Sequence, residues 1–167
     1  MGLTLRLLRH GTTEWTEAGR YCGHADPGLN ETGRLALRSV WLPESVYRSV
    51  VCSDLRRCRE TAAALGLAPT LTAALREFDF GAIEGATWEE LDDDVRTALL
   101  DHDSFVAPDG ESVEGFGARI DTFVEGLDDG RHLLVTHGGV IQHLLRRAGV
   151  DRHVGPGEWV DVEISPR

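Results

Sequence analysis

The sequence contains no lysine: all 17 of its Lys-plus-Arg positions, among 167 residues, are arginine. This absence excludes mechanisms that depend on a lysine side chain, such as a Schiff base or the phosphate-binding lysine of a P-loop. An anionic ligand of this protein must therefore be held by arginine, by histidine or by backbone N–H groups.

Cysteine and long apolar runs are also scarce. The three cysteines, Cys22, Cys52 and Cys58, show no C-x-x-C spacing, which argues against a disulfide framework or a zinc knuckle and predicts free thiols. No apolar run approaches the ~20 residues of a membrane span. Residues 1–9 lack the cleavage site of a signal peptide. We therefore expect a cytoplasmic protein without a membrane partner.

Negative charge is in excess, because 28 acidic residues against 17 basic ones leave a net charge of −11. Such a protein would repel nucleic acid, whose binding needs a basic surface. The balance of 41% hydrophobic and 27% charged residues is typical of a globular protein. The length predicts a single domain, residues 1–167.

Apolar strand patterns alternate with helical patterns along the chain. Strands are predicted at 3–9, 49–53, 70–75, 132–136 and 160–164, and helices at 33–42, 55–65, 87–100, 112–127 and 139–148. Ser53 or Asp54 is the predicted N-cap of the second helix, and a capping box at 87–90 is expected to open the third. Strands interleaved with helices at this spacing predict an α/β fold with a largely parallel sheet.

Two segments share one form, an apolar strand followed by histidine and glycine. They are Leu7-Leu8-Arg9-His10-Gly11 and Leu134-Val135-Thr136-His137-Gly138. Ligands of parallel α/β sheets bind at the carboxyl ends of the strands, so both histidines are expected at that edge. A lone histidine there more often serves packing or capping, but two in matching context indicate a functional site.

Two arginines are expected beside the histidines. Arg9 adjoins the first histidine, and Arg57 falls in the first turn of the helix that follows strand 49–53. Guanidinium groups bind phosphate oxygens in pairs, and a helix N-terminus adds partial positive charge. Two histidines and two arginines together predict a site for a dianion on an otherwise acidic protein.

These residues resemble the signature of the histidine phosphatase superfamily, the phosphoglycerate-mutase-like proteins. The signature Arg9-His10-Gly11 is followed by Thr13 and Trp15, and similar blocks appear in order at Gly23, Asp26, Leu29 and Gly33, at 53–62, at 75–85, at 110–112 and at 136–139. The blocks span nearly the whole chain. The resemblance implies a three-layer sandwich with helices on both faces of the sheet. The motifs are most similar to those of α-ribazole phosphatases and broad-specificity phosphatases.

The resemblance also implies a role for each site residue, without a metal or another cofactor. His10 would be the nucleophile that forms a phosphohistidine, and Glu77 the acid that protonates the leaving group and then the base that activates water. The phosphate would be bound by Arg9, Gly11, Thr16, Gly23, Arg57, His137 and Gly138. Of these, Thr16 stands where many members have an asparagine that touches the phosphate, so its hydroxyl would have to replace that contact.

The implied function is that of a phosphomonoester hydrolase of the histidine acid phosphatase type. Its partner would be a small phosphorylated metabolite, with α-ribazole 5′-phosphate as one candidate, and it would act as a monomer or homodimer. A phosphoglycerate mutase, a protein phosphohistidine phosphatase and an inactive phosphate-binding scaffold remain alternatives. A length of 167 residues favours hydrolysis, because the family's mutases carry extra segments that enclose the substrate. The retained His10 and Glu77 argue against a scaffold.

Overall fold

A single sheet of five strands lies at the centre of residues 2–165, the part of the chain that the computed structural model describes. The strands are β1 (Leu3–Arg9), β2 (Ser49–Ser53), β3 (Thr70–Thr72), β4 (Gly130–Thr136) and β5 (Trp159–Ile164). Their order is β3-β2-β4-β1-β5, with β1 to β4 parallel and β5 antiparallel to β1. The prediction of a largely parallel sheet is confirmed.

Helices cover both faces of this sheet. They are α1 (Glu14–Glu17), α2 (Glu31–Leu37), α3 (Arg56–Ala64), α4 (Asp93–Leu100), α5 (Val113–Glu125) and α6 (Gly138–Arg147). Leu7 belongs to the apolar cluster that holds α5 and α6, whereas its neighbour Leu8 belongs to the cluster that holds α3. Side chains alternate between the faces of a sheet. Both leucines are therefore buried only because the fold has three layers, as the resemblance implied.

Several elements differ from the sequence predictions. Helix α2 begins and ends earlier than the predicted 33–42, and β3 stops at Thr72 because residues 73–75 form a 3-10 turn. Two further helix starts also differ. The N-cap of α3 is Leu55, which makes no side-chain cap, and the N–H of Arg56 donates to Asp26 Oδ1 at 2.5 Å instead. The capping box at 87–90 does form, but it opens only the 3-10 turn Trp88–Glu90. Buried Leu91 then takes an extended backbone, and α4 begins at Asp93. In both places a contact distant in sequence overrides the local signal.

The parallel register places the two histidine motifs side by side. Arg9 pairs with Thr136 across β1 and β4, so the next residues, His10 and His137, leave the sheet together. Strand β2 lies on the other side of β4 and ends at Ser53, at the same edge. Within the described chain, no helix combines the length and the apolar composition that a membrane span requires.

Candidate active site

His10 and His137 face each other at the carboxyl edge of the sheet. Their ring centroids are 5.2 Å apart at an angle of 63°, and both side chains are buried. The structure thus brings together the two histidines that the sequence pattern places at this edge. Gly11, which follows the first of them, donates its N–H to Thr61 Oγ1 at 3.0 Å, so this N–H already has a partner within the protein.

The hydrogen bonding of His10 fixes which ring nitrogen carries the hydrogen. His10 Nδ1 lies 2.7 Å from the carbonyl oxygen of Gly11. A carbonyl only accepts, so Nδ1 donates and the lone pair is on Nε2. Burial, together with the positive charges of Arg57 and Arg9, lowers the pKa of His10 to about 3. At neutral pH the ring is therefore uncharged, with Nε2 able to act as a nucleophile.

His137 is held from β2 and α3. Its Nε2 lies 2.8 Å from Ser53 Oγ and 3.4 Å from Cys58 Sγ. Burial and the charge of Arg57 bring the pKa of His137 well below 6.5, and burial raises the pKa of the Cys58 thiol. Sequence reasoning interpreted Ser53 only as a helix cap. Its place at the end of a strand, like that of the histidines, was the signal for a site role.

The lowered pKa of His10 predicts a pH-dependent stability. Folded His10 takes up its proton near pH 3 and the unfolded chain near 6.5, so the unfolded state binds more protons in between and stability falls as the pH drops. For His10 alone the loss between pH 7.5 and 4.5 is about 3 kcal/mol. Over the same pH interval, the free energy of unfolding of His10→Gln should therefore fall by about 3 kcal/mol less than that of the wild type, as measured by denaturant unfolding. Equal losses in the two proteins would contradict the assignment.

Arg57 is fully buried in the first turn of α3 and is held by the loop that follows α1. Its Nη1 donates to the carbonyl of Ala25 at 2.9 Å, and its Nη2 to that of Gly23 at 2.7 Å. The same loop is fixed by Glu84, whose two oxygens accept from the N–H groups of His24 and Ala25 at 2.7 and 2.5 Å. Glu84 therefore stabilises the position of Arg57, a role that sequence reasoning did not assign.

Arg9 is held by Val154 and lies against the start of α6. Its Nη1 donates to the carbonyl of Val154 at 3.0 Å, and a Cβ on Gly138 would lie 3.2 Å from its Cζ. Glycine at 138 thus lets the start of α6 lie against this guanidinium. The Nε atoms of Arg9 and Arg57 are the buried side-chain nitrogens or oxygens without a protein partner among residues 2–165. Unpaired buried donors of this kind indicate a binding site for an acceptor.

The predicted phosphate-binding residues differ in their surroundings. Gly23 packs so closely against Phe78 and Glu84 that a side chain there would collide with both. The Thr16 hydroxyl donates to the carbonyl of Thr13 at 2.9 Å and accepts from its N–H at 2.8 Å. This hydroxyl therefore completes the cap of α1. The proposed replacement of the family's asparagine by Thr16 stays a prediction.

The side chain of Glu77 packs against the first turn of α6. Its Oε2 accepts from the N–H of Gly139 at 2.9 Å, and its Oε1 accepts from Phe78 N at 2.9 Å. A side chain on Gly139 would collide with this carboxylate, so glycine permits the contact. The Glu77 carbonyl also accepts from Arg119 Nη2 and lies 3.1 Å from His24 Nε2. The carboxyl group is thereby held in one place.

Two cavities meet at Glu77. The smaller, of about 270 Å³, includes Arg9, Gly138 and His153 in its wall. The larger, of about 350 Å³, is the aromatic chamber, lined by Tyr21, Phe78, Phe80, Phe105 and Phe116. These rings pack at centroid distances of 5.0 to 6.0 Å. Glu77 thus belongs to the walls of both cavities, one of which includes Arg9 and the other mainly aromatic rings.

The chain is similar to known proteins. The model of the histidine phosphatase superfamily (branch 1) matches residues 5–163. The bifunctional protein Rv2228c of Mycobacterium tuberculosis is 36% identical over 86% of this chain, which spans only 43% of that protein's length. The adenosylcobalamin/alpha-ribazole phosphatase of Salmonella typhimurium is 31% identical, covering 87% of this chain and 79% of its own.

A solved structure is similar over nearly its full length. The phosphoglycerate mutase of Thermus thermophilus superposes with a TM-score of 0.86 at 38% identity, over 98% of this chain and 99% of that one. Family match, fold and the paired histidines at the sheet edge agree. The chain belongs to the histidine phosphatase superfamily.

Proposed function

We propose that this protein is a phosphomonoester hydrolase that works through a phosphohistidine on His10. The observation that carries the proposal is a buried, uncharged His10 with its lone pair on Nε2, beside two guanidinium groups whose buried Nε atoms lack a protein partner. A phosphate group would supply the acceptors for those donors. The names of the Salmonella relative and of an acid phosphatase from Mycobacterium tuberculosis, 33% identical, support the same class of reaction.

The reaction would proceed in two steps. In the first, His10 Nε2 attacks phosphorus, the bond to the leaving oxygen breaks, and the Glu77 carboxyl gives its proton to that oxygen. In the second, water attacks phosphorus, Glu77 takes up a proton from the water, and the P–N bond breaks to release phosphate. Arg9, Arg57, His137 and the α6 N-terminus would stabilise the charge on the phosphoryl oxygens throughout.

The aromatic chamber supports a substrate whose alcohol carries a flat ring. Aromatic side chains that already pack edge-on and tilted can take a further ring in the same way. α-Ribazole 5′-phosphate, with its base and ribose, fits this description, and the Salmonella relative bears the name of a phosphatase for it. This substrate is our proposal for the finer specificity.

Mutase activity is the second candidate because of the Thermus thermophilus protein's name. That chain aligns with this one over nearly the full length of both, so chain length does not separate a mutase from a hydrolase. The five aromatic rings of the chamber favour hydrolysis of a ring-bearing ester over isomerisation of a small phosphoglycerate, which has no ring to pack against them. Assays of 3-phosphoglycerate for isomerisation and for phosphate release would distinguish the two.

Trapping the phosphoenzyme tests the proposal. The substrate is radiolabelled p-nitrophenyl phosphate, with EDTA in every buffer. Quenching in alkali should leave label on His10, and p-nitrophenol should appear in a burst whose amplitude equals the enzyme concentration. His10→Asn should show neither label nor burst. His132→Asn, the same change near the start of β4 and outside both cavities, should show both. A burst that persists in His10→Asn would refute the nucleophile, and activity that needs a divalent ion would refute the metal-free mechanism.

A further inference from the structure

The aromatic chamber has one polar side, which is formed by α6. Gln142, His143 and Arg146 line it there. Among them, His143 is held by a neighbouring helix: its Nε2 lies 3.0 Å from Asp121 Oδ1 on α5. The mechanism proposed above uses none of these three side chains.

Asp121 is a fixed acceptor for this histidine. It is buried, and Arg147 Nη1 donates to the same Oδ1 at 2.8 Å. Burial alone would raise the pKa of Asp121, but the hydrogen bonds from His143 and Arg147 outweigh it and hold the pKa below its ordinary value. Since an ionised carboxylate only accepts, Nε2 of a neutral His143 ring must carry the hydrogen. The lone pair of that ring is then on Nδ1.

The ring of His143 also packs closely against α5. A Cβ on Gly117 would lie 2.9 Å from His143 Cε1, so glycine is needed for the ring to lie where it does. The ring contacts Phe116, a wall of the chamber, at a centroid distance of 6.3 Å. Within residues 2–165 the structure records no protein hydrogen bond to Nδ1. The wall of the chamber thus contains a histidine whose Nε2 is hydrogen-bonded to Asp121 and whose Nδ1 has no recorded partner among the described side chains.

We infer that His143 determines substrate specificity by accepting, at Nδ1, a hydrogen bond from the leaving group. The substrate class is then narrower than a ring-bearing phosphomonoester: the alcohol must also carry a hydroxyl or N–H donor on or beside its ring. The sugar hydroxyls of a phosphorylated riboside have this chemistry. The inference rests on the proposed function, because it describes the leaving group of that reaction.

Two pairs of synthetic esters isolate this hydrogen bond. The first pair is 3-hydroxybenzyl and 3-methoxybenzyl phosphate, and the second is 3-(hydroxymethyl)benzyl and 3-(methoxymethyl)benzyl phosphate. In each pair only the hydroxyl compound can donate a hydrogen bond from its ring substituent. Within each pair the scissile bond belongs to a benzylic alcohol of similar acidity. The wild type should prefer the donor by roughly fivefold in kcat/KM in at least one pair, which is the effect of one neutral hydrogen bond.

Variants at 143 show whether this residue is the acceptor. His143→Phe should bring the ratio to about one, with circular dichroism showing that the variant is folded. His143→Gln should keep part of the preference, because its amide can donate to Asp121 and still offer an oxygen. His153→Phe, the same change beside the smaller cavity, should keep the wild-type ratio.

Specific outcomes would overturn the inference. A wild-type ratio of one in both pairs does so, as does an unchanged preference in His143→Phe. If His143→Phe is unstable, the smaller His143→Leu allows the same comparison. A wild type that forms phosphohistidine but shows no preference refutes only this inference, whereas a wild type without phosphohistidine refutes the proposed function.

Discussion

Replacing Arg57 by methionine is expected to lower kcat/KM for phosphomonoesters by about 10²–10³-fold, the usual cost of removing one donor that stabilises a developing oxyanion. Arg57 lowers the pKa of both histidines through its charge, and its buried Nε has no protein partner. Methionine fills a similar volume but supplies neither charge nor donors. The competitive inhibition constant of vanadate should rise in parallel with the loss of activity.

Controls separate this loss from a loss of folding. Arg59→Met makes the same change on the exposed side of the same helix and should leave turnover within a few-fold of wild type. Arg57→Met also leaves the carbonyls of Gly23 and Ala25 without their donor, at a cost of about 1–3 kcal/mol each. Circular dichroism and thermal denaturation must therefore show a folded variant. A folded Arg57→Met with nearly normal activity would remove Arg57 from the phosphate site.

The main features of the site could be predicted because they follow from local pattern and register. An apolar run that ends in histidine and glycine indicates both a strand and the place where it ends. Parallel strands of equal length then bring two such ends together. The prediction for residues 3–9 was confirmed by β1 with the same bounds, and that for 49–53 by β2. Arg57 could be placed because it lies in the first turn after the second of these strands.

Contacts between distant segments could not be predicted in the same way. The chamber combines an aromatic residue from position 21 with others from 78, 80, 105 and 116, and nothing in their spacing relates them. Asp121 and His143 lie on different helices, so only the packing of α5 against α6 makes them partners. The antiparallel direction of β5 is likewise set by its pairing with β1. Its alternation of Val160, Val162 and Ile164 with acidic residues indicated only a strand with one buried face.

Replacing Glu77 by glutamine is expected to slow the hydrolysis of alkyl phosphates by about 100-fold or more, a typical contribution of general acid catalysis. An alkoxide leaving group needs a proton as the P–O bond breaks, and neither arginine can donate one at neutral pH. In the proposed mechanism His10 is occupied as the nucleophile, and His137 stays on the phosphoryl group. The Glu77 carboxyl, held by Gly139 N and Phe78 N, is therefore the proposed donor.

The dependence on the leaving group separates acid catalysis from positioning. p-Nitrophenolate departs without a proton. In single-turnover experiments, Glu77→Gln should therefore slow the formation of phosphohistidine from benzyl phosphate far more than its formation from p-nitrophenyl phosphate. Glu114→Gln, the same change at an exposed glutamate, should affect neither substrate. Glutamine has one carbonyl oxygen in place of the two that accept from Gly139 N and Phe78 N, so one of these N–H groups loses its acceptor. A purely structural fault of this kind would slow both substrates alike. Equal losses would therefore leave Glu77 as a positioning residue and assign the proton to another group.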